Sequence, residues 1–189
     1  MPEITTHSGY YQLMSGYTNF AVVGAGSPIG KYIVQQLLKD KAVGIVNDVV
    51  VLTREVKCPS NNCVIRDMLS TPFVVDTQAS KAVEGNAKVV QVDYSNEESI
   101  KNALTGVDVV ISTISMRALD VQVKIGAAAK KAGVQLFVPS EYGGISEEQS
   151  EGPFGGKANM QSQLKALGMP YAAFYTGPFA DFVWNPYDS

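Results

Sequence analysis

The chain has 189 residues, a formal net charge of −3 and a sequence pI near 5.2, a size that suits one well-filled domain. Hydrophobic residues make up 46% and charged residues 17%, which indicates a folded rather than a disordered protein. No cluster of Lys or Arg, apolar run of the roughly 20 residues that cross a bilayer, or signal-peptide pattern is present. We therefore expect a cytoplasmic protein without nucleic acid or membrane partners.

Short apolar runs alternate with helical patterns along the first half of the chain. Phe20–Val23 predicts a first strand, and a helix follows over residues 29–39 with Ile29, Ile33, Leu37 and Leu38 on its apolar side. Val49–Leu52 and Val89–Val92 predict strands two and three, because β-branched runs suit strands that are buried on both faces. Ser95–Glu98 then reads as a capping box that starts a helix with Ser95 as N-cap, and this helix should end near Gly106.

The same alternation continues to the end of the chain. It predicts strands at Val107–Ser112, Val134–Pro139 and Tyr171–Tyr175, and helices at Leu119–Ala132 and Lys157–Leu167. Because no hairpin signal separates the strands, right-handed crossovers should build a parallel sheet. We therefore predict an α/β fold, a doubly wound parallel sheet of the Rossmann type, with six strands in the order 3-2-1-4-5-6.

Two stretches interrupt this pattern. Glu55–Lys88 is long; within it Cys58–Asn62 is interpreted as loop and Thr77–Val83 as a helix. Glu141–Gly156 predicts a mobile loop at the carboxyl edge of the sheet. The domain division that follows is an N-terminal tail over residues 1–19, an NAD(P)-binding Rossmann domain over residues 20–180, and a remnant of a substrate region over residues 181–189.

A glycine-rich turn follows the first strand. Gly24 permits a tight turn, Gly26 leaves room for phosphates, and Gly30 lets the helix pack closely on the strand. The free N–H groups and the positive dipole end of the helix then face an anion. This strand-turn-helix context predicts a dinucleotide site; the alternative is a structural glycine turn without a ligand.

The residues after strand two distinguish between the two dinucleotides. An NAD site places Asp or Glu there to accept from the ribose hydroxyl, but this chain places Thr53 and Arg54, while Asp48 should lie at the opposite end of the strand. A guanidinium pairs with a 2′-phosphate. The sequence therefore predicts NADPH (NADP) over NADH, unless Arg54 is only a solvated charge paired with Glu55 or nothing.

A metal site is not expected. The two cysteines, Cys58 and Cys63, lie in one predicted loop, and the single histidine, His7, lies far away in the tail. A zinc site needs more ligands than this, so the two thiols are interpreted as loop residues without a role, with a local disulfide open in an oxidised sample.

The sequence resembles the NmrA-like and isoflavone-reductase-like family of atypical short-chain dehydrogenases. The resemblance covers about Phe20 to Phe179. The segments that carry it are Val22–Gly30, Val51–Glu55, Val92–Tyr94, Leu104–Ser112, Phe137–Gly143, Lys157 and Gly177–Phe179. Pro139-Ser140-Glu141-Tyr142-Gly143 is the most specific of them.

The resemblance implies a role for each matching residue. Gly24, Gly26, Ser27, Pro28 and Ile29 would hold the pyrophosphate, and Thr53 with Arg54 the adenosine 2′-phosphate. The adenine would be bordered by Asp93 and Tyr94, and the ribose and diphosphate by Ser112, Thr113 and Ile114. Pro139, Ser140, Glu141, Tyr142 and Phe179 would flank the nicotinamide end.

Lys157 matches the family's active-site lysine, so the resemblance implies that it is the catalytic residue. There it would hold the nicotinamide ribose and assist proton transfer; an ammonium would also stabilise developing oxyanion charge. The alternative is an ordinary lysine in the first helical turn, where the helix dipole disfavours a cation.

The chain also departs from the family pattern. Ser27 stands where a third glycine is frequent, no Tyr precedes a Lys at the spacing of ordinary short-chain dehydrogenases, and relatives continue into a substrate-binding region beyond Ser189. The resemblance thus implies an NADPH-dependent reductase of a small carbonyl or phenylpropanoid-like substrate. The alternatives are a non-catalytic NADP(H)-sensing regulator with a protein partner, or a truncated inactive form. The apolar tail (Phe179, Phe182, Val183, Trp184) suggests a covering partner or a homodimer.

Overall fold

The computed structural model describes residues 16–54, 87–147, 149 and 151–179. In this part of the chain the strands are β1 (Asn19–Val23), β2 (Asp48–Thr53), β3 (Lys88–Gln91), β4 (Val109–Ser112) and β5 (Leu136–Val138). The helices are α1 (Pro28–Ala42), α2 (Glu97–Ala103), α3 (Leu119–Ala132), which follows a 3-10 turn at Met116–Ala118, and α4 (Gly152–Ala166). None of these helices is long and apolar enough to cross a membrane.

The strands form one parallel sheet in the order β3-β2-β1-β4-β5. This confirms the α/β doubly wound fold and the first five positions of the predicted order. The predicted sixth strand, Tyr171–Tyr175, is wrong as a strand: it is reduced to one parallel bridge between Phe137 and Tyr171.

The ladder stops there because of Pro139. The Phe137 amide donates to the Pro170 carbonyl at 2.9 Å, and the Phe137 carbonyl accepts from the Ala172 amide at 3.0 Å. In a parallel ladder the next donor of β5 would be the amide of residue 139, and proline has no N–H group. The chain after Tyr171 is therefore free to leave the sheet.

Two helix starts differ from the sequence prediction. The N-cap of α2 is Asn96, whose side chain accepts from the Glu98 and Ser99 amides, because the Ser95 hydroxyl instead donates to Asp93 Oδ1 at 2.6 Å. Helix α4 begins at Gly152, so the end of the predicted Glu141–Gly156 loop is helical. Lys157 therefore lies in the second turn of α4 and not in the first.

The alternation of side chains along each strand builds two apolar cores, one on each face of the sheet. Val22, Val49 and Val51 point toward α1, where they meet Val34 and Leu37. The intervening strand residues point the other way and pack against α2, α3 and α4, with Ile100, Ile125, Met160 and Leu164 fully or almost fully buried. Helices thus cover both faces, and the two ends of the strands are left to carry polar groups.

Asp108 ties three strands together at the amino edge of the sheet. Its Oδ2 oxygen accepts from the Thr18 and Asn19 amides at 2.9 and 2.8 Å, and its Oδ1 oxygen accepts from Gln135 Nε2 at 3.2 Å. Partial burial raises the pKa of the Asp108 carboxyl, but these hydrogen bonds outweigh it and hold the pKa below its ordinary value. The ionised carboxylate is therefore the form that the fold stabilises.

Replacing Asp108 by alanine should lower the free energy of unfolding by about 1.5 kcal/mol, since two strand-end amides lose a charged acceptor. Because the folded-state pKa is lowered, this stabilisation is complete above the ordinary pKa of aspartate, about 4, and is lost as the pH falls through the folded-state pKa. Urea unfolding of wild type and Asp108→Ala at several pH values measures this difference in the free energy of unfolding. Asp108→Asn, which keeps one acceptor oxygen, should lose less and show no such pH dependence; equal stability of wild type and Asp108→Ala would contradict the expectation.

Several predicted features lie outside the described residues. They are the tail with His7, the two cysteines Cys58 and Cys63, the helix at Thr77–Val83, and the apolar residues Phe182, Val183 and Trp184. Asp48, by contrast, is described and lies at the amino edge as predicted, where Lys41 Nζ pairs with it at 2.9 Å.

Candidate functional site

The glycine turn lies at the carboxyl edge of the sheet, directly after β1. Gly24 adopts a positive φ of 83°, and its carbonyl accepts from the Ser27 amide at 2.9 Å, which closes the turn. A Cβ atom on Gly30 would lie 2.4 Å from the Gly24 carbonyl oxygen and 2.6 Å from Thr113 Oγ1. Only glycine fits there, so the first turn of α1 is held against the end of β1.

Ser27 caps α1 and leaves part of the helix end open. Its Oγ oxygen accepts from the Gly30 amide at 2.9 Å, and its carbonyl accepts from the Lys31 amide at 3.1 Å. Pro28 has no N–H group, so the Ile29 amide is the member of this first turn that stays available to an anion. Because Ser27 Oγ is used as an acceptor, its hydrogen is also free to be donated. The turn therefore keeps donors that suit a phosphate group.

Thr113 binds the turn to β4. Its amide and its hydroxyl both reach the Val23 carbonyl, at 2.8 and 3.0 Å, and the hydroxyl also lies 2.8 Å from the Gly24 carbonyl. Thr113 is 4% exposed, so its side chain supports the turn from the interior of the protein. Ser112 is fully buried, and its Oγ atom has no hydrogen-bond partner among the described residues.

The next strand end brings Arg54 and Tyr94 together. Arg54 follows β2 and is exposed, and Tyr94 follows β3 and is partly buried. Burial raises the pKa of the Tyr94 phenol, while the positive charge of Arg54 acts on it in the opposite direction. Thr53 is the last residue of β2. Arg54, predicted to meet the 2′-phosphate, and Tyr94, predicted to border the adenine, are therefore neighbours at the same edge of the sheet.

Asp93 lies exposed at this end, with its carboxylate already engaged. The Ser95 hydroxyl and amide donate to Asp93 Oδ1 at 2.6 and 2.8 Å, and these bonds lower the pKa of the Asp93 carboxyl. The carboxylate is thus held ionised beside the predicted adenine end.

The loop after β5 forms the far end of the site. Pro139 is buried, the Ser140 hydroxyl donates to the Ile114 carbonyl at 2.8 Å, and the Ser140 amide donates to Gln122 Oε1 at 2.9 Å. The Gly177 amide donates to the Gly143 carbonyl at 2.9 Å. This last bond brings the chain just before Phe179 against the loop, so the predicted nicotinamide-end residues share one corner.

Lys157 enters this corner from α4. It is 5% exposed; its Nζ atom lies 3.5 Å from the Tyr142 carbonyl oxygen, and a Cβ atom on Gly143 would lie 3.8 Å from Nζ. Burial lowers the pKa of the Lys157 ammonium, and the negative charge of Glu141 partly offsets this. Burial also raises the pKa of Tyr142 to about 12, so its phenol stays protonated at neutral pH. A buried cation with a lowered pKa at a ligand-binding edge is typical of a functional residue.

Glu141 points into the protein. Its exposed fraction is 0%, and its Oε2 oxygen accepts from the Ser146 hydroxyl at 2.6 Å. Its other oxygen, Oε1, has no partner among the described residues. Sequence reasoning placed Glu141 at the nicotinamide end but missed Ser146, Gln161 and Gln122, the buried polar residues that fix this corner. A signal was available for Gln122, which lies on the otherwise apolar buried side of α3.

The NmrA-like family model matches residues 18–189. The chain belongs to the NmrA-like family. It is 33% identical over 178 residues to an isoflavone reductase homolog of Solanum tuberosum, covering 89% of this chain and 51% of that protein. The family resemblance expected from the sequence is thus confirmed, and the roles of the individual site residues stay predictions.

Solved structures share the same architecture. The structure of AtPrR2 with NADP+ and (+)pinoresinol is 25% identical, with a TM-score of 0.67 over 89% of this NmrA-like chain and 53% of that one. An isoflavone reductase crystal structure has a TM-score of 0.69 over 92% of this chain and 54% of that one, and at 24% identity it shows the fold alone. The chain spans about half the length of these relatives.

Proposed function

We propose that this NmrA-like chain binds NADP(H) at the Gly24–Gly30 turn and acts as an NADPH-dependent reductase of a small carbonyl or phenylpropanoid-like substrate. The observation that carries the proposal is the buried Lys157, which lies at the same sheet edge as a turn that accepts only glycine at position 30. The AtPrR2 structure, which holds NADP+ and (+)pinoresinol, supports it.

The described residues fit a dinucleotide. The Ile29 amide and the Ser27 hydroxyl would meet the pyrophosphate at the helix end, and Arg54 would meet a 2′-phosphate. When bound, NADPH would supply a hydride to the substrate. Lys157 would then stabilise the negative charge that develops on the substrate oxygen and hold the proton that neutralises it. Its lowered pKa brings the ammonium nearer to the pH at which it can release that proton.

The reductase is tested with protein that binds NADPH. We expect oxidation of NADPH, followed by its absorbance, with at least one member of a panel of enones and phenylpropanoids. Reduced product identified by mass spectrometry confirms the transfer. Binding of NADPH without turnover of any panel member would contradict the reductase and favour the second candidate below.

Arg54 should decide the cofactor preference. Arg54→Ala should weaken NADPH binding about tenfold, since a charge-assisted hydrogen bond to phosphate is lost, and should leave NADH binding nearly unchanged. Cofactor fluorescence titrations of both variants with both dinucleotides measure this. Lys39→Ala, on the exposed side of α1, is the control for loss of a surface cation. Equal affinity of the wild type for NADPH and NADH would contradict the preference.

A non-catalytic NADP(H) sensor is the second candidate. Ile145 is 67% exposed, and Phe154 and Phe179 are 38% and 39% exposed, all beside the Lys157 corner. Such apolar surface favours cover by a partner or by a second copy. Light scattering after gel filtration, with and without NADPH, tests the homodimer; a monomer at high concentration in both conditions would contradict it.

A further inference from the structure

A buried glutamine connects two carboxylates beside Lys157. Gln161 on α4 is 3% exposed, and its Nε2 atom donates to Ser146 Oγ at 3.0 Å and to the Tyr175 hydroxyl oxygen at 2.9 Å. Those hydroxyls donate onward, Ser146 to Glu141 at 2.6 Å and Tyr175 to Glu147 at 3.2 Å. The network runs from a fully buried carboxylate to an exposed one.

The direction of each hydrogen bond follows from the chemistry of the groups. An amide nitrogen only donates, so each hydroxyl oxygen must accept from Gln161 and has its single hydrogen left for a carboxylate. The Tyr171 hydroxyl lies 3.4 Å from Gln161 Oε1, which fixes the amide in this orientation. Ser146 is therefore committed as a donor to Glu141 Oε2, and this bond fixes the position of that carboxylate oxygen.

The second oxygen of Glu141 has no hydrogen-bond partner in the part of the chain that the structure describes. Glu141 Oε1 is buried and accepts no hydrogen bond from the described residues. Lys157 lies four residues before Gln161 on the buried side of α4, where it donates to the carbonyl of Tyr142 and where the negative charge of Glu141 acts on its ammonium. The other titratable groups described in this corner are the phenols of Tyr142, Tyr171 and Tyr175, and Glu147 lies at the exposed end.

We propose that Ser146 and Gln161 are positioning residues for Lys157: they align the Glu141 carboxylate as the buried counter-ion of the Lys157 ammonium. An unpaired buried cation is costly, and a counter-ion held by its own donors offsets that cost. The arrangement keeps the ammonium under the Tyr142–Gly143 loop instead of at the surface. This rests on the proposed function for its use in catalysis, but the positioning itself is a property of the free protein.

The test reads the Lys157 ammonium directly. The protein is labelled at lysine Cε with ¹³C, and its NMR signals are followed between about pH 6 and 11, which spans the ordinary and lowered range of lysine. The Lys157 signal is assigned by its absence in Lys157→Met. The variants are Glu141→Gln, Ser146→Ala and Gln161→Met. The controls are Ser162→Ala and Gln163→Met, which make matching changes at exposed positions of α4.

We expect Glu141→Gln to lower the Lys157 pKa by about one unit or more. Ser146→Ala and Gln161→Met should shift it by less in the same direction, and the two controls should not shift it. An unchanged Lys157 pKa in Glu141→Gln, or in both Ser146→Ala and Gln161→Met, would overturn the proposal even where the melting temperature falls. Gln161→Met fills nearly the same volume as glutamine, so it decides the matter if Ser146→Ala does not fold. Since the measurement uses neither NADPH nor substrate, failure of the proposed reductase leaves it intact.

Discussion

Replacing Gly30 by alanine should lower the free energy of unfolding by about 3 kcal/mol, the upper range for an overpacked site. The added Cβ would meet the Gly24 carbonyl oxygen at 2.4 Å, Thr113 Oγ1 at 2.6 Å and Ser27 Oγ at 2.8 Å. The first of these is backbone of the turn itself, so a side-chain rotation cannot relieve the contact. The helix start must move away from β1, and the Ser27 cap moves with it.

The same displacement should weaken NADPH binding about a hundredfold, since two charge-assisted hydrogen bonds of the turn to phosphate would be misaligned. Urea unfolding and fluorescence titration measure the two effects. Gly16→Ala is the matched control, because a Cβ at Gly16 meets nothing within 4 Å. Wild-type affinity for NADPH in a folded Gly30→Ala protein would show that the dinucleotide binds elsewhere.

The sheet order was predictable because it follows from local patterns. Apolar β-branched runs such as Val49–Leu52 alternate with helices, and parallel crossovers then leave few topologies. The extent of the last strand depends on its neighbour instead. Tyr171–Tyr175 has strand-forming residues, but the ladder ends at Pro139, which lies in the partner strand segment. A pattern read one segment at a time does not contain that information.

The candidate site likewise has one part that local sequence predicts and another that depends on contacts between distant segments. The Gly24–Gly30 turn was predictable because its glycines follow an apolar strand directly and precede a helix, so neighbouring residues alone indicate the turn. Ser146 and Gln161 were missed because their role arises only when the loop after β5 meets α4. Helix α4 itself was placed too late, since Gly152, Gly155 and Gly156 disfavour a helix by propensity. One reason for a small residue is visible: a Cβ on Gly156 would meet Leu119 Cδ1 at 2.9 Å.

Replacing Lys157 by methionine should lower the turnover number of the proposed reductase about a hundredfold or more, and it should make the protein more stable at neutral pH. The expected loss of turnover follows from the proposed role of Lys157, since the substitution removes the charge that would stabilise the developing oxyanion. The gain in stability follows from burial, which lowers the pKa of the Lys157 ammonium in the folded state. Below that lowered pKa the folded protein carries a buried cation that the unfolded chain would hold in water, and methionine removes this cost.

The stability difference should therefore depend on pH in one direction. Because the folded-state pKa lies below the unfolded value of about 10.4, the gain in Lys157→Met is full at neutral pH. It shrinks as the pH rises through the folded-state pKa toward the unfolded one. Urea unfolding of both proteins at neutral and alkaline pH measures it, with Lys165→Met, at an exposed position of α4, as the control that should show neither effect. If Lys157→Met is less stable than wild type at neutral pH, the ammonium contributes more to the fold through Glu141 and the Tyr142 carbonyl than its burial costs, and Lys157 is then a structural residue.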